Sequence, residues 1–450
     1  FASATLNGTA LETFPKESDP YIPKTVTCTN GSVGHWNTEK QKIELTTVNL
    51  PTSCVVDFTE GYTVTLNATN GTVTAPTSKV IGRTGTATFT VTPNSGYKLE
   101  LETNTCGGTL SGSTYTISNV TSAKSCSITF KSSIPTLYAK LLADKTTRPG
   151  ARTSFSSVLT TDNTKTLYTS TENGTTVYYF AGNATDNWVK FGKNASNQDL
   201  YWRIIRTNSD GSIKLLYHGT SPETEEAYIG TSRFNSSYNN IAYVSYMYGS
   251  TGSIANARTN QTNSSTIKTT IDNWYTSNLE AKGYTKYLST TAVYCNDRTY
   301  TVSDNTYFGA YTRLRRNDTP SYDCATTEDK FTVDTSTGNG KLTYPIALMT
   351  ADEVSFAGGV YLKNAETWYY YNSANGSSTG STLWWLLSPN GWYGSSASVF
   401  IVFGSSLPGY LSNSGVNDTY GVRPVISIKG ENLWKSGDGT ASSPYEIITD

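Results

Sequence analysis

The chain has 450 residues and is nearly neutral, with 34 Lys and Arg against 35 Asp and Glu. Only 15% of residues are charged, without the clustered Lys and Arg of a nucleic-acid binder, and no apolar run reaches the roughly 18 residues a membrane-crossing helix needs. Thr, Ser, Asn, Gly and Tyr dominate, with 32 Tyr against two His and two Met. This is the composition of a β-rich extracellular protein, and the length predicts about two to four domains.

The chain opens Phe1-Ala2-Ser3-Ala4, where no signal peptide is legible. Residues 1–59 read as a small β module. Asn7-Gly8 between Ser3–Leu6 and Thr9–Phe14 predicts a type I′ hairpin. Alternatively, Phe1–Phe14 has the strand pattern to add to a neighbour's sheet edge. Residues 60–131 form a second β module. Tyr62, Val64 and Leu66 alternate with Thr, as do Ala87, Phe89 and Val91, and Asn70-Gly71 predicts another hairpin. Its closing Ile128-Thr129-Phe130 gives it a resemblance to the internalin B-repeats of bacterial surface proteins, which implies a spacer role.

Residues 132–150 form a junction with a short helix over Leu137–Ala143. Residues 151–450 are the large domain. Tyr201–Arg206 and Ile213–Tyr217 read as strands. Ser264/Ser265 cap a helix with Ile267, Ile271, Trp274 and Tyr275 on one face. Arg313, Arg315 and Arg316 read as an exposed basic cluster. Thr350 and Glu353 form a capping box. Leu383–Leu387, Val399–Phe403 and Gly421–Ile428 read as three strands of one sheet, the last half-buried by its alternation. The loops between them are rich in Gly, Ser, Asn and Tyr, a composition suited to binding surfaces but also ordinary for β connections. Trp392, Tyr393, Tyr410, Asn417 and Tyr420 are the candidate binding residues there.

Four segments carry a second resemblance: Tyr201-Trp202-Arg203-Ile204-Ile205-Arg206, Met349-Thr350-Ala351-Asp352-Glu353-Val354 with Ala357-Gly358-Gly359, Trp385-Leu386-Leu387-Ser388-Pro389, and Tyr420-Gly421-Val422-Arg423-Pro424-Val425. Together they resemble the C-type-lectin-like fold of formylglycine-generating-enzyme relatives and of many secreted bacterial proteins. The fold class expected is therefore mainly β with a few short helices, two small β modules preceding an α+β C-type-lectin-like domain. Those enzymes use cysteines near the C-terminal end of the fold, and none lies between Trp384 and Asp450, so their activity is not carried over. Ser388-Pro389-Asn390 lacks the acidic or amide first residue of the lectins' calcium-dependent sugar motif.

The six cysteines allow fifteen pairings. Each of Cys28/Cys54, Cys106/Cys126 and Cys295/Cys324 lies within one module, so nearest pairing is the economical expectation, in an oxidising compartment. His218 with Ser221 and Glu223 permits a sketch of a catalytic triad, but no Gly-x-Ser-x-Gly elbow accompanies it. No catalytic residue, cofactor or metal site is expected. Sequons at Asn67, Asn173, Asn183, Asn375 and Asn417 are compatible with a glycosylated surface protein. The functional expectation is a non-enzymatic extracellular bacterial surface protein that self-associates into a fibre, with no nucleic-acid partner and no membrane span in this chain. The alternative is a monomeric adhesin whose loops bind a glycan or a host or bacterial surface protein.

Overall fold

The computed structural model describes residues 1–145, 147–302, 306–366, 368–370, 383–404 and 407–449. The fold is mainly β with few short helices, as expected. It divides into two compact units, Phe1–Ile134 and Pro135–Asp450. Three disulfides close, Cys28–Cys54, Cys106–Cys126 and Cys295–Cys324, all between nearest cysteines. Their loops span 26, 20 and 29 residues, each worth about 3–4 kcal/mol by loop-closure entropy.

The first unit is organised by one strand of 16 residues, Cys54–Thr69. Its even-numbered apolar positions point inward along the whole length, from Val56 and Phe58 to Val64 and Leu66. The first half pairs in parallel with Ala2–Leu6 and antiparallel with Tyr21–Cys28. The second half pairs in parallel with Lys124–Ser132 and antiparallel with Ser78–Gly82. The boundary expected at residue 59 therefore falls inside a continuous strand. Gly61 sits where the partners change. A Cβ there would lie 2.9 Å from Val80 and 3.1 Å from Ile22, so a side chain would force these elements apart.

Asn7 and Gly8 both have positive φ, 49° and 83°, and close the hairpin of Ala2–Leu6 with Thr9–Leu11. Asn70-Gly71 behaves differently from its expectation. Gly71–Val73 does not pair with the strand before it but with Gly85–Pro93. Asn70, at φ 60°, turns the chain from one sheet into a second, four-stranded one. The two sheets enclose Val64, Leu66, Phe89, Tyr115, Ile128 and Phe130. Gly71 is required at this corner because a Cβ would run into the Phe130 ring.

The second unit begins with the helix Leu137–Asp144, capped by the Thr136 hydroxyl, with Leu137 and Leu141 buried. Its larger sheet runs through Thr166–Glu172, Thr175–Tyr179, Asp199–Thr207, Ile213–Gly219, Pro424–Ile428 and Ile346–Leu348 in that spatial order. A second sheet holds Trp384–Trp392, Ala397–Val402, Leu411–Gly415 and Thr419–Gly421. The three C-terminal apolar runs thus do not form one sheet as expected. Pro424–Ile428 leaves the other two and inserts between Ile213–Gly219 and Ile346–Leu348. Nor is it half-buried: Arg423 and Ser427 on its polar face are fully enclosed. Ser427 accepts from Asn208 and from the Tyr294 hydroxyl, and Arg423 donates to the Tyr217 carbonyl. A central strand covered on both faces buries its polar side chains only when they find such partners.

Because one strand serves both halves of the first unit, Leu66→Ala is expected to destabilise it by about 2–5 kcal/mol. Hydrogen exchange should then quicken at Ala2–Leu6 as well as at Lys124–Ser132. Faster exchange restricted to Lys124–Ser132 would mean that the halves open separately.

Candidate functional site

Two polar constellations stand out in the second unit, one buried and one exposed. The buried one starts at Glu353, the third residue of the helix Ala351–Phe356. One carboxylate oxygen accepts from the Thr350 backbone N–H at 3.0 Å, completing the capping box. The other accepts from Arg206 Nε at 3.0 Å and Lys214 Nζ at 2.7 Å. Arg206 also donates to Glu172 at 2.8 Å, and all four side chains are nearly fully buried. Burial alone would raise the Glu172 carboxyl, but the charge and hydrogen bond of Arg206, with Lys214 beyond, hold it down at about 2. Glu353 is lowered in the same way, against burial, by Lys214 and Arg206.

Next to this cluster, Arg313 donates to both oxygens of Asp352 at 2.7 and 2.8 Å and to Asp297 at 2.7 Å. Glu172, Arg206, Lys214, Asp297, Arg313 and Asp352 line a narrow cleft. Every one of these carboxylates has a cationic partner, so their chemistry is mutual neutralisation. Arg313 was expected in an exposed basic cluster. It is instead largely buried, because two aspartates from distant segments converge on it. Arg315 and Arg316 are exposed as expected.

His218 is fully buried edge-on against Trp188 at 4.5 Å. Burial, followed by the nearby charges of Arg423 and Arg203, lowers its pKa. Ser221 and Glu223 lie on the following loop, bonded to each other, with Glu223 exposed. Among the described residues, no group of three or more His, Cys, Asp or Glu is arranged to hold a metal ion.

The exposed constellation contains one of the candidate binding residues, Tyr393. Its hydroxyl donates to Asn390 Oδ1 at 2.9 Å and accepts from Asn413 Nδ2 at 3.0 Å. Tyr307 meets the Tyr393 ring edge-on at 6.1 Å and stacks on Tyr311 at 4.3 Å. Tyr311 in turn meets Tyr361 at 5.8 Å, and Tyr361 meets Phe400 at 5.9 Å. The Arg316 guanidinium lies 5.5 Å from the Tyr307 ring centre and 5.9 Å from that of Tyr311. Arg315 lies 6.0 Å from that of Tyr361. Neither arginine makes an ion pair among the described residues. Burial pushes the Tyr393 and Tyr361 hydroxyls up, Tyr361 to about 12, so both stay neutral.

The other candidates fall elsewhere. Phe400 pairs with Asn413 and Val399 with Ser414, so the two pairs point to opposite faces of the sheet. Tyr393 joins the Asn413 face. Tyr420 bonds Ser414 at 3.0 Å and packs on Trp385 at 5.1 Å, on the other face. Trp392 is half-buried at the end of its strand, Tyr410 packs on Phe403 at 5.1 Å, and Asn417 lies in the turn after Leu411–Gly415. The five candidates therefore do not share one surface. Sequence reading missed Tyr307, Tyr311 and Tyr361. Tyr307 lies in a short strand, Tyr311 closes one helical turn and Arg316 lies on the π-helical turn after it, so no single periodicity in the sequence marks the group. The sequon Asn375 lies outside the described residues.

Residues 62–134 match the family described as Divergent InlB B-repeat domain. The match begins within the long strand, and covers its second half, the four-stranded sheet and the closing strand Lys124–Ser132. With the three disulfides, this B-repeat-like module is consistent with an extracellular surface protein. No curated protein and no solved structure matches the chain.

Two measurements check this electrostatic division. Arg313→Ala should cost about 3–5 kcal/mol by stranding Asp352 and Asp297, whereas Arg315→Ala and Arg316→Ala should each stay within about 0.5 kcal/mol. Equal losses in denaturant titrations would contradict it. Glu172 has a lowered folded-state pKa, so its stabilisation is complete above the ordinary value of 4.5 and disappears as pH falls towards about 2. Glu172→Gln should therefore lower stability near neutrality and flatten the acid limb of the stability–pH curve over that range.

Proposed function

We propose that this chain is a non-enzymatic bacterial surface protein whose second unit is a divergent C-type-lectin-like domain that binds an acidic extracellular glycan. The observation that carries the reading is the ladder Tyr393–Tyr307–Tyr311–Tyr361, topped by Arg315 and Arg316 without ion-pair partners among the described residues. Aromatic faces offer large contact area at small rotamer cost. A guanidinium recognises a carboxylate or sulfate in a planar, two-point manner. The fold assignment is supported by the four resembling segments, whose Arg206, Glu353, Trp385 and Arg423 all lie in the core of the second unit.

The fibre reading required Phe1–Phe14 or the terminal loops at a subunit contact. Ala2–Leu6 is already paired on both sides, with Thr9–Leu11 and with Cys54–Thr69. Donating it to a neighbour would break both ladders, so the monomeric binding reading requires less rearrangement.

The test is binding of the purified chain to an immobilised polyuronate and to the same polymer with its carboxyls reduced. Binding should be confined to the acidic polymer and weaken with salt. Arg315→Ala combined with Arg316→Ala should lower affinity about tenfold or more, roughly 1.4 kcal/mol, without changing the melting temperature. Equal binding to both polymers, or light scattering that shows polymerisation of the unliganded chain, would sink this reading.

A further inference from the structure

Lys145 follows the helix Leu137–Asp144, and its ammonium is almost completely buried, with 1% of the side chain exposed. Nζ lies 2.6 Å from Asp186 Oδ2 and 2.8 Å from the Asp186 carbonyl oxygen. The Asp186 side chain is 3% exposed. Two aromatic rings enclose the pair, with centres 5.3 Å (Tyr445) and 5.7 Å (Phe180) from Nζ. Asp186 Oδ2 also accepts the Lys165 backbone N–H at 2.8 Å. Its Oδ1 is buried without a hydrogen-bond partner among the described residues.

Lys214 and Glu353 form a second buried Lys–carboxylate pair, at 2.7 Å. There the carboxylate also receives Arg206 and the Thr350 N–H, so both oxygens are satisfied and the negative charge is held. Among the described residues, Asp186 forms its ion pair with Lys145 alone, with the Arg203 charge nearby, and its Oδ1 has no hydrogen-bond partner. The ammonium also donates to the Asp438 carbonyl oxygen at 3.4 Å, so the bare Oδ1 is where the buried pair lacks compensation. Moving a proton from Nζ to Oδ2 removes both charges at once. Burial itself lowers the Lys145 pKa, with Asp186 acting in the opposite direction. Nζ and the Asp186 carboxyl are held in contact by the fold, almost fully buried, which replaces the entropy cost of a bimolecular encounter.

We propose that Lys145 and Asp186 condense into an intramolecular amide in the folded protein. The Nζ lone pair forms a bond to Cγ, and a Cγ–O bond breaks. A second Nζ proton departs with that oxygen, and the third stays on the amide nitrogen. Ammonium and carboxylate become one amide and one water, with no oxidant, metal or further reactant. The link would tie the start of the second unit to the segment preceding Trp188–Lys193. That strand also carries the C-terminal chain, through hydrogen bonds between Trp188 and Tyr445 and from Trp188 N–H to Gly439. A covalent tie at this point resists unravelling from the unit's N-terminal end, which suits a domain displayed on a surface.

The experiment is intact mass measurement of the full chain, folded, then denatured with its disulfides reduced. The expected mass is one water below that of the sequence, and proteolysis should give a branched peptide joining the Lys145 and Asp186 fragments. Lys145→Arg and Asp186→Ala should restore the full mass and remove that peptide. Asp186→Asn keeps the shape of the site and should instead lose one ammonia, which controls for misfolding in the other two. Wild-type protein at full mass after prolonged incubation in the folded state, or a loss of water without the branched peptide, overturns the proposal.

Discussion

The carboxylate of Glu353 is the constraint on which the second unit depends. It caps its own helix, and it pins that helix to two neighbouring strands through Arg206 and Lys214. Such a cluster is a weak source of net stability, because desolvating the charges costs about as much as their attraction returns. Its effect is on specificity. Once Arg206 and Lys214 are inside, only one placement of Glu353 and Glu172 neutralises them. Removing any one partner leaves a bare buried charge, which is strongly destabilising. Arg313, with Asp352 and Asp297, extends the same logic to the segment that carries the exposed arginines.

The first unit reaches its order by different means. It has little buried charge, and relies on one long strand whose inward positions are apolar from end to end. Glycines at Gly61 and Gly71 allow close approach where partners change, and disulfides reduce the freedom of the unfolded chain. A B-repeat-like module of this kind buries two sheets against each other, with Thr and Ser on the outer face, and leaves few charged groups to be desolvated.

The surface ladder and the buried cluster show how one composition supports two roles. Tyrosine is frequent in both, but in the core its ring fills volume beside a paired guanidinium, as Tyr322 does over Arg206. On the surface the same pairing of ring and guanidinium is left open. Arg315 and Arg316 lie over tyrosine faces and make no ion pair among the described residues. Cation–π contacts of this kind orient a guanidinium at modest energy, which leaves its hydrogen-bonding edge available to an anion.

Local rules settled much of this protein from sequence. The Asn7-Gly8 hairpin, the Ser265 cap, the Thr350–Glu353 capping box and the nearest-neighbour disulfides all act over short separations, so their signals lie side by side in the chain. The β-rich class follows from alternation and composition for the same reason. What the sequence did not disclose was decided by pairing between distant segments. Asn70-Gly71 carries a hairpin signal, yet the next strand found its partner in another sheet. Val422–Ile428 alternates like a half-exposed strand, yet packing covered its polar face, where Asn208 and Tyr294 bond Ser427 and the Tyr217 carbonyl accepts from Arg423. Arg313 and Arg316 are neighbours of identical chemistry, and only the arrival of Asp297 and Asp352 beside one of them separated a core residue from a surface one. Tyr393 and Tyr420 fell on opposite faces because they reach adjacent residues of one strand, Asn413 and Ser414, whose side chains point to opposite sides. Sequence determines which residues can pair, bury or turn. Which of them share a surface is decided by the three-dimensional register, because that depends on partners far away in the chain.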